Sequence, residues 1–187
     1  MRRPPKFGAD RYRSESGPAD EPDEKSLQKL AEITAVRLLA RREHGVEELR
    51  RKLQGKGYPD GVIDFVITKL ATRRLVSDER FTSSFVHHHA QRGQGPVRIR
   101  AELRQQGIAG EAIESALENT EADWAAQARA VRRRKFGDDL PRSPLERAKQ
   151  ARFLQYRGFS SDQIRAALKS DVSLADMDAG LDPDPDP

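Results

Sequence analysis

Leu53-Gln54-Gly55-Lys56-Gly57-Tyr58-Pro59-Asp60-Gly61-Val62-Ile63-Asp64-Phe65-Val66-Ile67 decides the fold, because the chain repeats its pattern twice more. The shared form is Leu-x3-Gly-apolar-x4-Ile-x3-Ile/Leu. It runs through Leu53, Gly57, Tyr58, Ile63 and Ile67, then Leu103, Gly107, Ile108, Ile113 and Leu117, then Leu154, Gly158, Phe159, Ile164 and Leu168. The copies lie 50 and then 51 residues apart, a period that marks an array of repeated supersecondary units. A glycine at the fifth position suits the left-handed residue that ends a helix, a conformation costly for any residue with a Cβ. The leucine four residues before it and the apolar residue just after it are then the hydrophobic pair that accompanies such a stop. The apolar residue also opens the next helix. Phe159 precedes Ser160, a good N-cap, Gln163 completes a capping box, and Phe159 can staple to Ile164. One side chain thus clamps the end of one helix and the start of the next.

Working outward, each corner is preceded by a further helix, about Leu27 to Glu43, Asp78 to Arg92 and Glu121 to Phe136. Leu30, Ile33, Val36 (or Arg37), Leu38 and Ala40 carry the three- and four-residue spacing of a helix face. Val62, Ile63, Phe65, Val66 and Ile67 could seed a strand in isolation, but the apolar run reaches Leu70 and Leu75 without a turn signal, so a helix is expected. Gly45, Gly95 and the segment from Gly137 to Pro144 separate first helices from second ones. The expected fold is all-α: a tandem array of three three-helix repeats, elongated and curved, over residues 27–76, 77–120 and 121–170. Residues 1–26, rich in Pro, Gly, Ser and charge, and the acidic, Pro-rich 171–187 are expected to be disordered tails.

Composition narrows the function. Apolar residues make 36% and charged residues 34% of the 187, a lean core under a charged surface. There is no Cys, which excludes a disulfide framework and thiolate metal sites and fits a cytoplasmic protein. No apolar run is long enough to span a bilayer, and the N-terminus lacks the apolar segment of a secretory signal. The net charge of +4 conceals an asymmetry: residues 27–170 hold 28 Lys+Arg against 18 Asp+Glu, whereas residues 171–187 hold six Asp and no basic residue. A body at +10 favours an anionic partner, and the acidic tail could compete for the same surface.

His87, His88 and His89 are consecutive, so on a helix they point about 100° apart and cannot converge on one metal ion. No Gly-rich phosphate loop, nucleophile-base pair or clustered acids appear, so no catalytic residue, metal or cofactor is expected, and a metal-dependent hydrolase has nothing to stand on. Trp124 shares a face with Ala128 and Val131 and reads as a packing residue. The basic residues are the candidate contacts for a protein or DNA partner: Arg41, Arg42, Arg50, Arg92, Arg98, Arg100, Arg104, and Arg132, Arg133, Arg134 and Lys135, the last four making a full helical turn. Leu53, Gly57, Tyr58, Leu103, Gly107, Ile108, Leu154, Gly158 and Phe159 are the structural set.

Asp78-Glu79-Arg80-Phe81, followed by Gly95-Pro96-Val97-Arg98-Ile99-Arg100-Ala101-Glu102-Leu103-Arg104-Gln105-Gln106-Gly107-Ile108, resembles the signature of the RecX family. The tandem three-helix units agree with it over about residues 27–170, and neither tail is covered. Gln105-Gln106 departs from the basic residue expected before the glycine. The resemblance implies a regulator that binds the RecA recombinase, docks in the groove of the RecA–DNA filament, suppresses ATP hydrolysis and strand exchange, and favours disassembly. A monomer with weak single- or double-stranded DNA contact and no membrane association is expected. The alternative is a helical-repeat DNA-binding protein that acts without RecA.

Overall fold

The computed structural model describes residues 23–169. The two expected disordered tails lie almost wholly outside those residues. Within them the chain forms α1 (Glu24–Leu39), α2 (Val46–Gln54), α3 (Asp60–Thr72), α4 (Asp78–Gln91), α5 (Pro96–Gln105), α6 (Gly110–Glu118), α7 (Trp124–Phe136), α8 (Pro144–Tyr156) and α9 (Ser161–Ala167), with no strand among the described residues. The helices group in threes, and the dominant packing in each group is first helix on third: α1 on α3, α4 on α6, α7 on α9. The array of three three-helix units is therefore as the repeat dictated.

The corners form as their residues require. Gly57, Gly107 and Gly158 have φ of 84°, 85° and 90°. The Tyr58, Ile108 and Phe159 amides reach back five residues to the carbonyls of Leu53, Leu103 and Leu154 at 3.4, 3.2 and 3.1 Å. The glycine amides donate to Gln54, Arg104 and Gln155 at 2.8, 3.0 and 2.9 Å. This is the paired six-to-one and five-to-two bonding of the glycine helix stop. The leucines are fully buried, and Ile108 and Phe159 nearly so. Ser160 and Gln163 make the capping box at the start of α9.

Two expectations are corrected in α1. Asp23 caps the helix by accepting from the Ser26 amide at 3.1 Å, so Glu24, Lys25 and Ser26 are helical rather than part of a disordered extension. The core face is also not the one expected. Ala31 and Ala35 are fully buried, with Leu27, Leu38 and Leu39 beside them, while Leu30, Ile33 and Val36 are 50%, 40% and 43% exposed. α1 carries two apolar stripes at helical spacing, and α3 lies against the one with small residues, where backbones approach closely. Trp124 does pack, but against the second unit's core, so it joins units two and three.

Units are coupled through helix caps. α2 and α5 start after glycines, Gly45 and Gly95, which offer no capping side chain. Each is capped by the following unit. The Val46 amide donates to Asp78 Oδ1 at 2.7 Å. The Gly95 and Val97 amides donate to the Arg157 and Gly158 carbonyls at 2.8 and 3.0 Å. The orphan donors that open α5 thus meet the carbonyls that close α8. α8 caps itself instead, with Ser143 and Glu146 forming a capping box.

Candidate functional site

The candidate cations divide by what surrounds them. Arg42 pairs with Glu48, and Arg50 with Asp64 at 2.6 Å. Arg98 pairs with Glu102 at 2.7 Å, and Arg133 lies 4.0 Å from Asp138. Arg100 is bidentate on Glu114 at 2.6 and 2.7 Å. That shared hydrogen bonding raises the Arg100 pKa and holds Glu114 below the usual carboxylate range. The charges of these five are met within the chain. Arg41, Arg92, Arg134 and Lys135 are exposed, and no carboxylate among the described residues pairs with them, while the exposed Arg104 acts by its charge on Glu114.

Arg132 is corrected outright. It is 2% exposed, and its guanidinium donates to the carbonyls of Asp139 and Asp138 at 2.7 and 3.0 Å. It holds the turn after α7 in place and is not presented to a partner. The collar expected of Arg132, Arg133, Arg134 and Lys135 is therefore a half-collar.

Position sorts the free cations further. Arg41 follows α1, Arg92 follows α4, and Arg134 and Lys135 close α7. They recur at the C-terminal end of the first helix in each unit. Cations there also complement the helix dipole, but their exposure leaves them open to a second anionic contact.

Between units one and two lies a cleft of about 750 Å³, with Phe81 and Phe85 in its lining and Arg42, His88 and Arg92 around it. His89 stacks on Phe85 at 3.8 Å between ring centroids and lies 3.3 Å from Glu102; His87 meets Gln91 at 2.8 Å. The three histidines thus diverge, and no group of three metal-binding side chains exists among the described residues. Sequence reading passed over His44. It is 3% exposed, bonded through Nδ1 to the Arg42 carbonyl at 2.9 Å. Burial pushes its pKa down, against the pull of that carbonyl and of Glu48. Burial pushes Glu48 up, but the hydrogen bonds from Arg42 and the charges of His44, Arg42 and Lys52 outweigh it and hold the carboxyl low. Sequence reading also passed over the capping role of Asp78, which no local pattern announces.

Three equivalent corners, in units coupled by caps and each with exposed cations near its first-helix end, define a helical-repeat protein. Family models match all three units in order: RecX, first three-helix domain, at 33–70; second, at 77–117; third, at 121–168. The chain is 51% identical over 133 residues to a regulatory protein RecX of Halorhodospira halophila, covering 71% of this chain and 83% of that one. It is 47% identical over 135 residues to one of Pseudomonas entomophila, covering 72% and 87%. The chain belongs to the RecX family. Its fold matches a crystal structure of RecX from Lactobacillus salivarius with a TM-score of 0.65 at 21% identity, over 76% of this chain and 95% of that one. No helix among the described residues is long and apolar enough to cross a membrane.

Proposed function

We propose that this protein binds the RecA–DNA filament and restrains RecA, lowering ATP hydrolysis and strand exchange. The observation that carries the reading is the recurrence of exposed, unpaired cations within two residues of the C-terminal end of the first helix in three consecutive units: Arg41, Arg92, and Arg134 with Lys135. A filament is itself a repeating array with an anionic polymer inside it. Contacts repeated along a repeat protein meet it at several points at once, and linked weak contacts bind far more tightly than any one alone. Family membership supplies the recombinase as the partner, and the basic body supplies attraction at a distance. Activity then rests on binding, with no residue of the chain serving as acid, base or nucleophile.

The test is binding to RecA filaments assembled on immobilised single-stranded DNA, compared with the same DNA free of RecA. Wild-type protein is expected to prefer the filament. Arg41→Glu/Arg92→Glu/Arg134→Glu, all exposed positions, is expected to lose most of that binding while remaining folded, with stability lowered only by the helix-dipole contribution, about 0.3–1 kcal/mol per position. Equal binding to bare DNA and to filaments would instead establish a DNA-binding helical protein that acts without RecA.

A further inference from the structure

Among the described residues, Leu145 and Tyr156 are the most exposed large hydrophobic side chains, at 75% and 76%. Both lie on α8, with Lys149 and Arg152 between them. The spacing 145, 149, 152, 156 is four, three, four, so all four share one helix face. Lys149 and Arg152 are exposed, and no carboxylate among the described residues pairs with either. At 1.5 Å per residue the stripe is about 16 Å long.

The corner does not need an aromatic at this place. Tyr156 stands two residues before its glycine, and the matching residues of the other units are Gly55 and Gln105. The repeat tolerates glycine or glutamine at this place, yet Tyr156 leaves most of an aromatic ring in water. The ring is also held. The Arg98 guanidinium lies 5.7 Å from its centroid and is itself fixed by Glu102 at 2.7 Å. Next to it, Arg157 sits over Phe153 and reaches the Arg92 carbonyl at 3.4 Å, at the seam of units two and three. The surroundings are strongly positive: residues 121–170 hold twelve Lys+Arg against six Asp+Glu, a net of +6 and the most basic of the three units.

We infer that the exposed face of α8 is a contact for single-stranded nucleic acid, with the Tyr156 ring as a platform on which a base stacks and Lys149 and Arg152 meeting the phosphates. A solvated aromatic flanked by unpaired cations is the combination that takes a flexible polyanion with planar groups. Single strands fit and duplexes do not, because bases in a duplex are already stacked on both faces. The contact carries no base preference, since every base offers a π face. This deepens the filament reading, because it places a DNA contact at the seam of units two and three.

The experiment measures affinity for a fluorescent oligothymidylate and for a duplex of equal length, over a range of salt, with RecA inhibition assayed in parallel. Tyr156→Ala is expected to weaken single-strand binding about tenfold, a mid-range value for loss of one stacked base. Its salt slope, duplex affinity and melting temperature stay as in wild type. Tyr156→Phe keeps full affinity and Tyr156→Leu does not. Arg152→Gln, by contrast, lowers the salt slope by about one ion. Wild-type single-strand affinity in Tyr156→Ala, or an equal loss on duplex, overturns the proposal. If Tyr156→Ala loses RecA inhibition and keeps DNA binding, the ring is a protein contact, and the inference fails while the filament reading stands. If single-strand binding depends on Tyr156 but RecA is unaffected even by wild type, the filament reading fails and this one stands.

Discussion

Four alanine variants separate what the three corner glycines and the α5 cap glycine do. At Gly57, φ is 84° and nothing lies within 4 Å of an added Cβ. Gly57→Ala therefore meets only the left-handed backbone penalty, about 1–2 kcal/mol. At Gly107, φ is 85° and the added Cβ would meet Glu47 Cγ at 2.9 Å and Cβ at 3.1 Å; Cγ can rotate away, but Cβ is fixed to α2. Its cost should exceed that of Gly57 by about 0.5–1 kcal/mol and stay below that of Gly158. Gly95→Ala is the reverse case. Its φ of −87° suits alanine, but the Cβ would sit 2.3 Å from the Gly158 carbonyl oxygen. Two backbones must separate, at about 1–3 kcal/mol for the overpacking, and the caps from Arg157 and Gly158 stretch with them. Gly158→Ala carries both burdens: φ of 90°, with its Cβ 2.2 Å from Arg98 Cβ and 2.6 Å from Arg98 N. Its expected cost is about 2–5 kcal/mol, strain and overpacking together, a large part of a small protein's net stability. Urea melts give the energies, and amide exchange at Gly95 and Val97 locates the damage. Gly57→Ala should leave those two amides protected, whereas Gly95→Ala and Gly158→Ala should expose them. Equal costs for Gly57→Ala and Gly158→Ala would refute the reasoning, since they share a backbone angle and differ only in neighbours.

Further outcomes follow from the same contacts. Arg132→Met should destabilise by about 1.5–3 kcal/mol, through loss of two charge-assisted bonds to the turn after α7, and leave the salt dependence of DNA binding unchanged; a changed salt slope with an unchanged melt would return Arg132 to the surface. His44 is held below its ordinary 6.5 by burial, so the unfolded chain takes up its proton first and stability falls as pH drops below about 6.5. Glu32, Glu48 and Glu114, all held below 4.5, lose stability only at lower pH, so His44→Gln should flatten the melting temperature between pH 7 and 5, and a slope as steep as wild type would show that His44 does not set it. Removing residues 171–187 takes away six Asp and should tighten binding to single-stranded DNA most at low salt, where charge acts at longest range; unchanged affinity would show that the tail does not compete.

The fold was legible because its signals are local. Leu53, Gly57 and Tyr58 lie within six residues, and the bond that joins them is the one their types predict. Ser160 and Gln163 were readable for the same reason. What escaped depends on which way a side chain turns, toward a near neighbour or toward a partner distant in sequence. Spacing alone could not choose between the Leu30-Ile33-Val36 stripe and Ala31-Ala35, because the choice belongs to α3. Arg132 and Arg134 have the same side chain two residues apart, yet one faces the Asp138-Asp139 turn and the other water. Arg98 and Arg100 look as available as Arg104 until Glu102 and Glu114 are found beside them. The trans caps left only a faint trace: Gly45 and Gly95 stand where Ser143 stands in the last unit. Tyr156 could have been marked earlier from its four-three-four register with Leu145, Lys149 and Arg152.

The central claim is that a basic three-unit array acts on a filament. The direct measurement is RecA's single-stranded-DNA-dependent ATP hydrolysis while this protein is titrated in at physiological salt. The account predicts inhibition at well below one molecule per recombinase monomer, weakened by Arg41→Glu/Arg92→Glu/Arg134→Glu. Undiminished hydrolysis at saturating protein, with tight and salt-sensitive binding to DNA alone, would contradict it.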